Sequence, residues 1–165
     1  MLFRSIANRD FLHLYGPGSL WALAATFRVF GTQLWSERAF GLLQQVAIIG
    51  GLYALARHWG RTLATGCAVT AALVIMPFGL TALACVGGVG LAVTGLAVAV
   101  RALSSGDGRR ARLGALLAGI LLGLAVLFRL DLVVAVGLAT ASLCWWAAPD
   151  RRRRLLTGIA IGIAP

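Results

Sequence analysis

The chain has 165 residues, of which 60% are hydrophobic and only 12% are charged. A water-soluble domain is nearer half apolar and about a quarter charged. This composition therefore excludes an ordinary soluble domain and indicates a membrane protein that crosses the bilayer several times. The net charge of +10 comes from fifteen arginines and five acids. The arginines stand in short clusters between apolar runs, which favours loops beside anionic lipid over a nucleic-acid groove, so we expect no nucleic-acid partner.

The first 38 residues hold most of the polar groups that could carry chemistry. Asp10, His13 and Tyr15 stand just before Pro17, a residue that suits the first turn of a helix. An apolar run follows and is interrupted at Arg28. The pattern predicts a short helix over 17–30 that lies in or near the membrane interface, with a tryptophan anchor. The alternative is a tilted span whose arginine extends to one end.

Residues 39–165 form the second predicted part, a transmembrane helical bundle with spans at 39–56, 62–77, 80–100, 113–128 and 132–148. The uncharged run over 62–100 would reach about 58 Å as one helix, nearly twice the hydrocarbon thickness of about 30 Å. It must therefore fold back, and Met76-Pro77-Phe78-Gly79 is the natural break. The last apolar run, 155–165, is shorter than the roughly 20 residues of a span. We therefore expect a fragment that is truncated at the C-terminus and works with the rest of a longer chain.

The predicted fold class is accordingly all-α, a polytopic bundle with a short interfacial helix at its start. Three arginine-rich loops, at 57–61, 101–112 and 149–154, are separated by two spans each and therefore emerge on one face. The positive-inside rule makes that face cytoplasmic. Residues 1–38, the 76–79 turn and the 129–131 break then lie on the exoplasmic side of the cell membrane. If 17–30 crosses the membrane instead, residues 1–16 move to the cytoplasmic face and the polar cluster splits.

Several of these polar residues have both a functional and a purely structural interpretation. Asp10 could take a proton from an acceptor as a general base, or it could pair with Arg9 or cap a turn. His13 could bind a phosphate or relay a proton, or be an ordinary interfacial histidine. Arg38 and Arg129 could hold phosphates through their guanidinium forks, or form ion pairs with neighbouring acids.

The polar and sulfur-bearing groups inside the spans have simpler interpretations. Gln44 and Gln45 are expected to form hydrogen bonds between helices. Cys67, Cys85 and Cys144 lie in apolar runs and are expected to be buried small hydrophobic residues. The glycines of the spans allow close helix packing, which we expect within this chain rather than between two copies.

The run from Asn8 to Pro17, the pair Phe30-Gly31 and the pair Glu37-Arg38 at the start of a span resemble the GT-C superfamily of integral-membrane glycosyltransferases. The likeness is to its protein mannosyltransferase and aminoarabinose transferase branch. The segment 127–131 is similar to that family's arginine-containing segment after a mid-chain span. The resemblance covers most of the chain as a hydropathy pattern and the first forty residues as motifs. It implies transfer of a sugar from a polyprenyl-phosphate donor to an acceptor at the outer face of the membrane.

Under this resemblance Asp10 matches an acidic position of the first outer loop and becomes the predicted catalytic residue. The predicted substrate-binding residues are His13, Tyr15, Arg38, Arg129 and Asp131. The cofactor stays open, because Asp10 serves either as a base or as a carboxylate beside a divalent cation. The second hypothesis is a transporter or flippase without catalysis, which needs polar groups at several depths of the membrane. A structural remnant without activity is the third.

Overall fold

The computed structural model describes residues 16–163, without the side chains of Arg154 and Ile163, and this part of the chain is helical apart from short turns. The predicted all-α bundle is therefore confirmed. Its seven helices are α1 (Pro17–Phe30), α2 (Leu34–Ala56), α3 (Arg61–Ile75), α4 (Ala84–Ser104), α5 (Gly108–Phe128), α6 (Leu132–Trp146) and α7 (Pro149–Ile163). Single 3-10 turns follow α2 at Arg57–Trp59 and α3 at Met76–Phe78.

The long helix α4 lies at the centre of the bundle. It packs against α2 on one side and α5 on the other, while α3 covers α2 and α7 covers α5. Gln44 of α2 lies beside Gly87 of α4, and Gly51 of α2 lies beside Thr94 of α4. Because both contacts move forward by seven residues, these two helices run parallel. Helix α5 runs antiparallel to α4, and α6 makes lighter contacts with α4, α5 and α7.

Small side chains fill the interior of this bundle, and large ones face outward. Ala99, Ala118 and Ala125 are completely buried. Leu138 and Val134 are about two-thirds exposed, as are many other leucines and valines. Small residues let helix backbones approach closely, and outward leucines and valines are well solvated only by lipid. This arrangement is typical of a bundle inside a membrane.

Four helical segments are long and apolar enough to cross a membrane: Leu34–Trp59, Arg61–Phe78, Ala84–Ser104 and Gly108–Phe128. Helix α6 has 15 residues, or about 22 Å, and is shorter than the predicted span at 132–148. The chain therefore has the character of a membrane protein.

Helices α2, α4 and α5 each extend beyond one predicted end of their span. Helix α2 begins at Leu34, so Glu37 lies in its first turn and the predicted division after residue 38 falls inside a helix. Helices α4 and α5 include Arg101 and Arg109, which leaves only residues 105–107 between them. A hydropathy boundary marks where lipid ends, whereas a helix continues as long as its backbone bonds are made, and its long arginine side chains extend to water.

The predicted break after α3 is confirmed. Met76–Phe78 forms the 3-10 turn, and Gly79 follows with φ of 63°. Gly60 plays the same part before α3, with φ of 120°. Both are left-handed conformations that glycine adopts without steric cost.

The three arginine-rich segments meet at one end of the bundle, which we call the arginine-rich end. Arg151 donates a hydrogen bond from Nη1 to the carbonyl of Leu103 over 3.0 Å. Arg57 and Arg101 line one hollow there together with Arg110. The predicted clustering of these segments on one face of the bundle is confirmed. Its assignment to the cytoplasm stays a prediction.

Helix α1 both begins and ends at the other end, which we call the opposite end. The Gly16 amide donates to the Phe128 carbonyl at the end of α5 over 3.1 Å. After α1, the buried Ser36 hydroxyl of α2 donates to the Phe30 carbonyl over 3.3 Å. The helix has the bounds predicted from the sequence, and it does not run from one end of the bundle to the other.

All five tryptophans are exposed, and they divide between the two ends. Trp21 and Trp35 belong to the opposite end, and Trp59, Trp145 and Trp146 to the arginine-rich end. Tryptophan is enriched where lipid headgroups meet hydrocarbon. The two groups therefore mark the levels expected for the two membrane surfaces.

Candidate functional site

The predicted site divides between the described chain and the segment before it. Asp10, His13 and Tyr15 lie outside the described residues, so their roles stay predictions. Arg38, Arg129 and Asp131 lie at the opposite end. The first described residue, Gly16, contacts this end beside Phe128, one position before Arg129.

Arg129 and Asp131 form a two-point ion pair in the short connection between α5 and α6. Arg129 Nε donates to Asp131 Oδ1 over 2.8 Å, and Nη2 donates to Oδ2. The Arg129 side chain is 28% exposed and the Asp131 side chain is 60% exposed. Of the two roles that the sequence allowed for Arg129, this geometry corresponds to the ion pair with a neighbouring acid. A phosphate that binds Arg129 must therefore share the guanidinium with Asp131.

The ion pair controls the titration of its carboxylate. The hydrogen bond from Arg129 lowers the pKa of Asp131 below its ordinary value, and the guanidinium charge acts in the same direction. Burial opposes this change in pKa. Asp131 is therefore a carboxylate at neutral pH and is poorly suited to deliver a proton. Its geometry suits a residue that orients Arg129.

Arg38 lies in the first turns of α2 and lines a hollow of about 250 Å³ with Glu37, Leu80 and Thr81. The last two residues belong to the loop that leads into α4. Arg129 contacts α4 itself, because its Cγ lies close to Gly88. The two arginines are thus brought next to the beginning of the same helix from different parts of the sequence.

Two polar side chains of α2, Gln44 and Gln45, lie farther along this helix than Arg38. Gln45 Nε2 donates to the carbonyl of Gly79, so its bond joins α2 to the turn after α3 and not to another helix, as the sequence had predicted. Gln44 is only 6% exposed and lies against Gly87 of α4. Within the described residues its Oε1 atom has no hydrogen-bond partner.

The sequence did not predict the large groove between α2, α3 and α4. Its volume is about 1190 Å³, and its lining is almost entirely apolar. It extends from Trp59 near the arginine-rich end to Phe78 near the opposite end, with the small residues Gly66 and Thr70 along α3. These small residues of α3 are the only feature of the sequence from which the groove could have been predicted.

The cysteines differ in their surroundings. Cys144 is buried, as expected, whereas Cys67 and Cys85 are half-buried and line the groove. Over residues 16–163, no three histidine, cysteine or acidic side chains lie close enough together to hold a metal ion.

Comparison with known proteins found no matching family model, no similar curated protein and no similar solved structure. The class of the protein rests on its structure, which is a helical bundle with four helices long and apolar enough to cross a membrane.

Proposed function

We propose that the chain is part of a membrane glycosyltransferase that takes a sugar from a polyprenyl-phosphate donor at the outer face of the membrane. The observation that carries the proposal is the separation of the two ends. Arginine-rich segments lie at one end. The other end has both acidic and basic side chains, namely Glu37 with Arg38 and Asp131 with Arg129. The resemblance of the first forty residues to GT-C enzymes supplies the reaction.

The roles follow from what such a transfer needs. A sugar leaving a phosphate requires cations beside the phosphate oxygens, and Arg38 and Arg129 are the candidates. Asp131 orients the guanidinium of Arg129, which reduces the entropy lost when a phosphate binds. Asp10 takes the acceptor's proton as the new glycosidic bond forms, or holds a divalent cation. His13 and Tyr15 complete the substrate-binding surface.

The apolar groove supports a donor carried on a long hydrocarbon chain. A polyprenyl chain is insoluble in water and needs an apolar surface at membrane depth. The groove between α2, α3 and α4 offers such a surface and reaches Phe78, the last residue of the turn after α3. Leu80 and Thr81, which follow this turn, line the hollow of Arg38. A donor could therefore have its chain in the groove and its phosphate near the opposite end.

Substitution of the predicted base tests the proposal. Membranes that contain the full-length protein are supplied with a labelled polyprenyl-phosphate sugar, and transfer to the acceptor is measured. Asp10→Asn should lower the rate by about 100-fold or more, since a general base contributes roughly that much. Asp150→Asn removes an acid from the arginine-rich end and should leave the rate unchanged. A normal rate for Asp10→Asn would refute the assignment of Asp10.

The alternative is a transporter or flippase without catalysis. The buried Gln44, whose Oε1 atom has no hydrogen-bond partner among residues 16–163, favours it, because a transport path needs polar groups below the surface. The two functions differ in whether the groove holds water. If the groove is lipid-filled, a charged thiol reagent should not modify Cys67 or Cys85 in intact membranes, whereas an apolar maleimide should. Rapid modification by the charged reagent, with buried Cys144 unmodified, would favour transport.

A further inference from the structure

A concave basic pocket lies at the arginine-rich end, away from the site proposed above. Its volume is about 790 Å³. It is formed by the last turns of α2, the 3-10 turn after it, the end of α4 and the beginning of α5. Its polar lining consists of Tyr53, Arg57, His58, Arg101, Ser104, Ser105 and Arg110. Arg101 and Arg110 flank the short connection between α4 and α5, whereas Arg57 precedes both by more than forty residues and reaches them only because α2 packs beside α4.

The pocket has a clear excess of positive charge. Asp107 pairs with Arg110 at 3.4 Å, and its other oxygen caps α5 by accepting the Arg109 amide at 2.9 Å. Within residues 16–163, neither Arg57 nor Arg101 forms an ion pair with an acid. Three arginines against one carboxylate leave an excess of two positive charges around the hollow.

The pocket lies at the level along the bundle where lipid headgroups are expected. Trp59 follows the lining residues Arg57 and His58 directly and is 73% exposed. Trp145 and Trp146, which are still more exposed, belong to the same end. Tryptophans of this kind mark the headgroup level. Basic pockets between membrane helices at that level bind anionic headgroups.

We propose that this pocket is a binding site for a phosphate group, of the kind carried by anionic lipids. Guanidinium groups bind phosphate oxygens through charge-assisted hydrogen bonds, and the Tyr53 and Ser105 hydroxyls add neutral donors. The site does not depend on the proposed transferase activity, because it lies at the other end of the bundle.

Three probes distinguish a lipid phosphate from a soluble one. The purified chain in a neutral detergent is titrated with dioctanoyl phosphatidate, glycerol 3-phosphate or dioctanoyl phosphatidylcholine, and its melting temperature is followed. Stabilisation by phosphatidate alone supports a lipid site. Stabilisation by phosphatidate and glycerol phosphate supports a site for which a soluble phosphate suffices. Equal effects of phosphatidate and phosphatidylcholine, or no effect of any probe, would overturn the proposal.

Paired variants then locate the binding. The double variant Arg57→Gln with Arg101→Gln should weaken phosphatidate binding by about tenfold or more, and each single variant by about threefold to fivefold. Arg109→Gln is the matched control, because Arg109 stands on the same end but outside the pocket lining. It should change the affinity by less than about twofold. All these arginines are exposed, and circular dichroism verifies that each variant remains helical. Equal losses in the control and the double variant would show attraction by overall charge and refute the site.

Discussion

Arg129 and Asp131 form an ion pair whose structural role is clear and to which the proposed function adds a second role. Their bond closes the connection between α5 and α6 at the end where the described chain begins. It also holds the guanidinium in one orientation beside α4. The sequence allowed either an ion pair or a phosphate-binding arginine. The structure has the ion pair, and the phosphate-binding role remains a proposal in which Asp131 positions Arg129.

The titration of Asp131 tests this pair directly. The hydrogen bond from Arg129 is the main cause of the lowered pKa, so Arg129→Gln should raise the pKa of Asp131 towards that of an ordinary aspartate. The stability that the pair contributes is complete above the ordinary pKa and disappears as the pH falls through the lowered one. NMR of the Asp131 side-chain carboxyl carbon measures both pKa values. Arg38→Gln is the control, and an unchanged Asp131 pKa in Arg129→Gln would contradict the assignment.

Among the helices, α5 and α7 show why glycine is frequent in this chain. They run parallel, and their backbones nearly touch: a Cβ built on Gly119 would lie 2.7 Å from the Cα of Ile159. A Cβ on Gly158 would lie 2.5 Å from the Cβ of Ala115. The expectation that small residues allow close packing within this chain is confirmed at this interface. Helix α6 makes fewer contacts, and a Cβ on its Gly137 would meet nothing within 4 Å.

A matched pair of alanine variants measures this packing. Gly119→Ala should destabilise the bundle by about 1–3 kcal/mol, because backbone atoms that cannot rotate away would have to shift. Gly137→Ala adds the same methyl group to an open helix surface and should be neutral or slightly stabilising. Thermal unfolding of both variants in the same detergent gives the comparison. Equal stabilities would mean that α5 and α7 are farther apart than the structure has them.

The bundle taken together is divided by charge. One end carries most of the arginines and the basic pocket, and the other carries the Arg129–Asp131 pair and the hollow of Arg38. Between them lie helices whose outward residues are mostly apolar. This division has a functional meaning only if the bundle has one orientation in the membrane, with the arginine-rich end in the cytoplasm.

Labelling of single cysteines tests that orientation. Cys67, Cys85 and Cys144 are replaced by alanine, and either Thr81→Cys or Gly106→Cys is added. Both positions are exposed, and Thr81 lies at the opposite end whereas Gly106 lies at the arginine-rich end. In intact cells an impermeant maleimide should modify the Thr81→Cys variant and not the Gly106→Cys variant. The latter should react only after the membrane is permeabilised. The reverse pattern would place the proposed site in the cytoplasm and remove the basis for a transferase at the outer face.

The sequence by itself determined the class of protein, the bounds of α1, the break at Met76–Phe78 and the meeting of the arginine-rich segments at one end. Each of these depends on local hydropathy, on proline and glycine, or on the number of spans between loops. Only the tertiary structure decided that Arg129 binds Asp131, that α2, α3 and α4 line an open groove, and that Arg57 and Arg101 share a pocket. The ion pair depends on the backbone conformation of the connection between α5 and α6, which hydropathy does not encode. The groove and the pocket depend on distances between helices, which are set by where alanine and glycine residues far apart in sequence let two backbones approach.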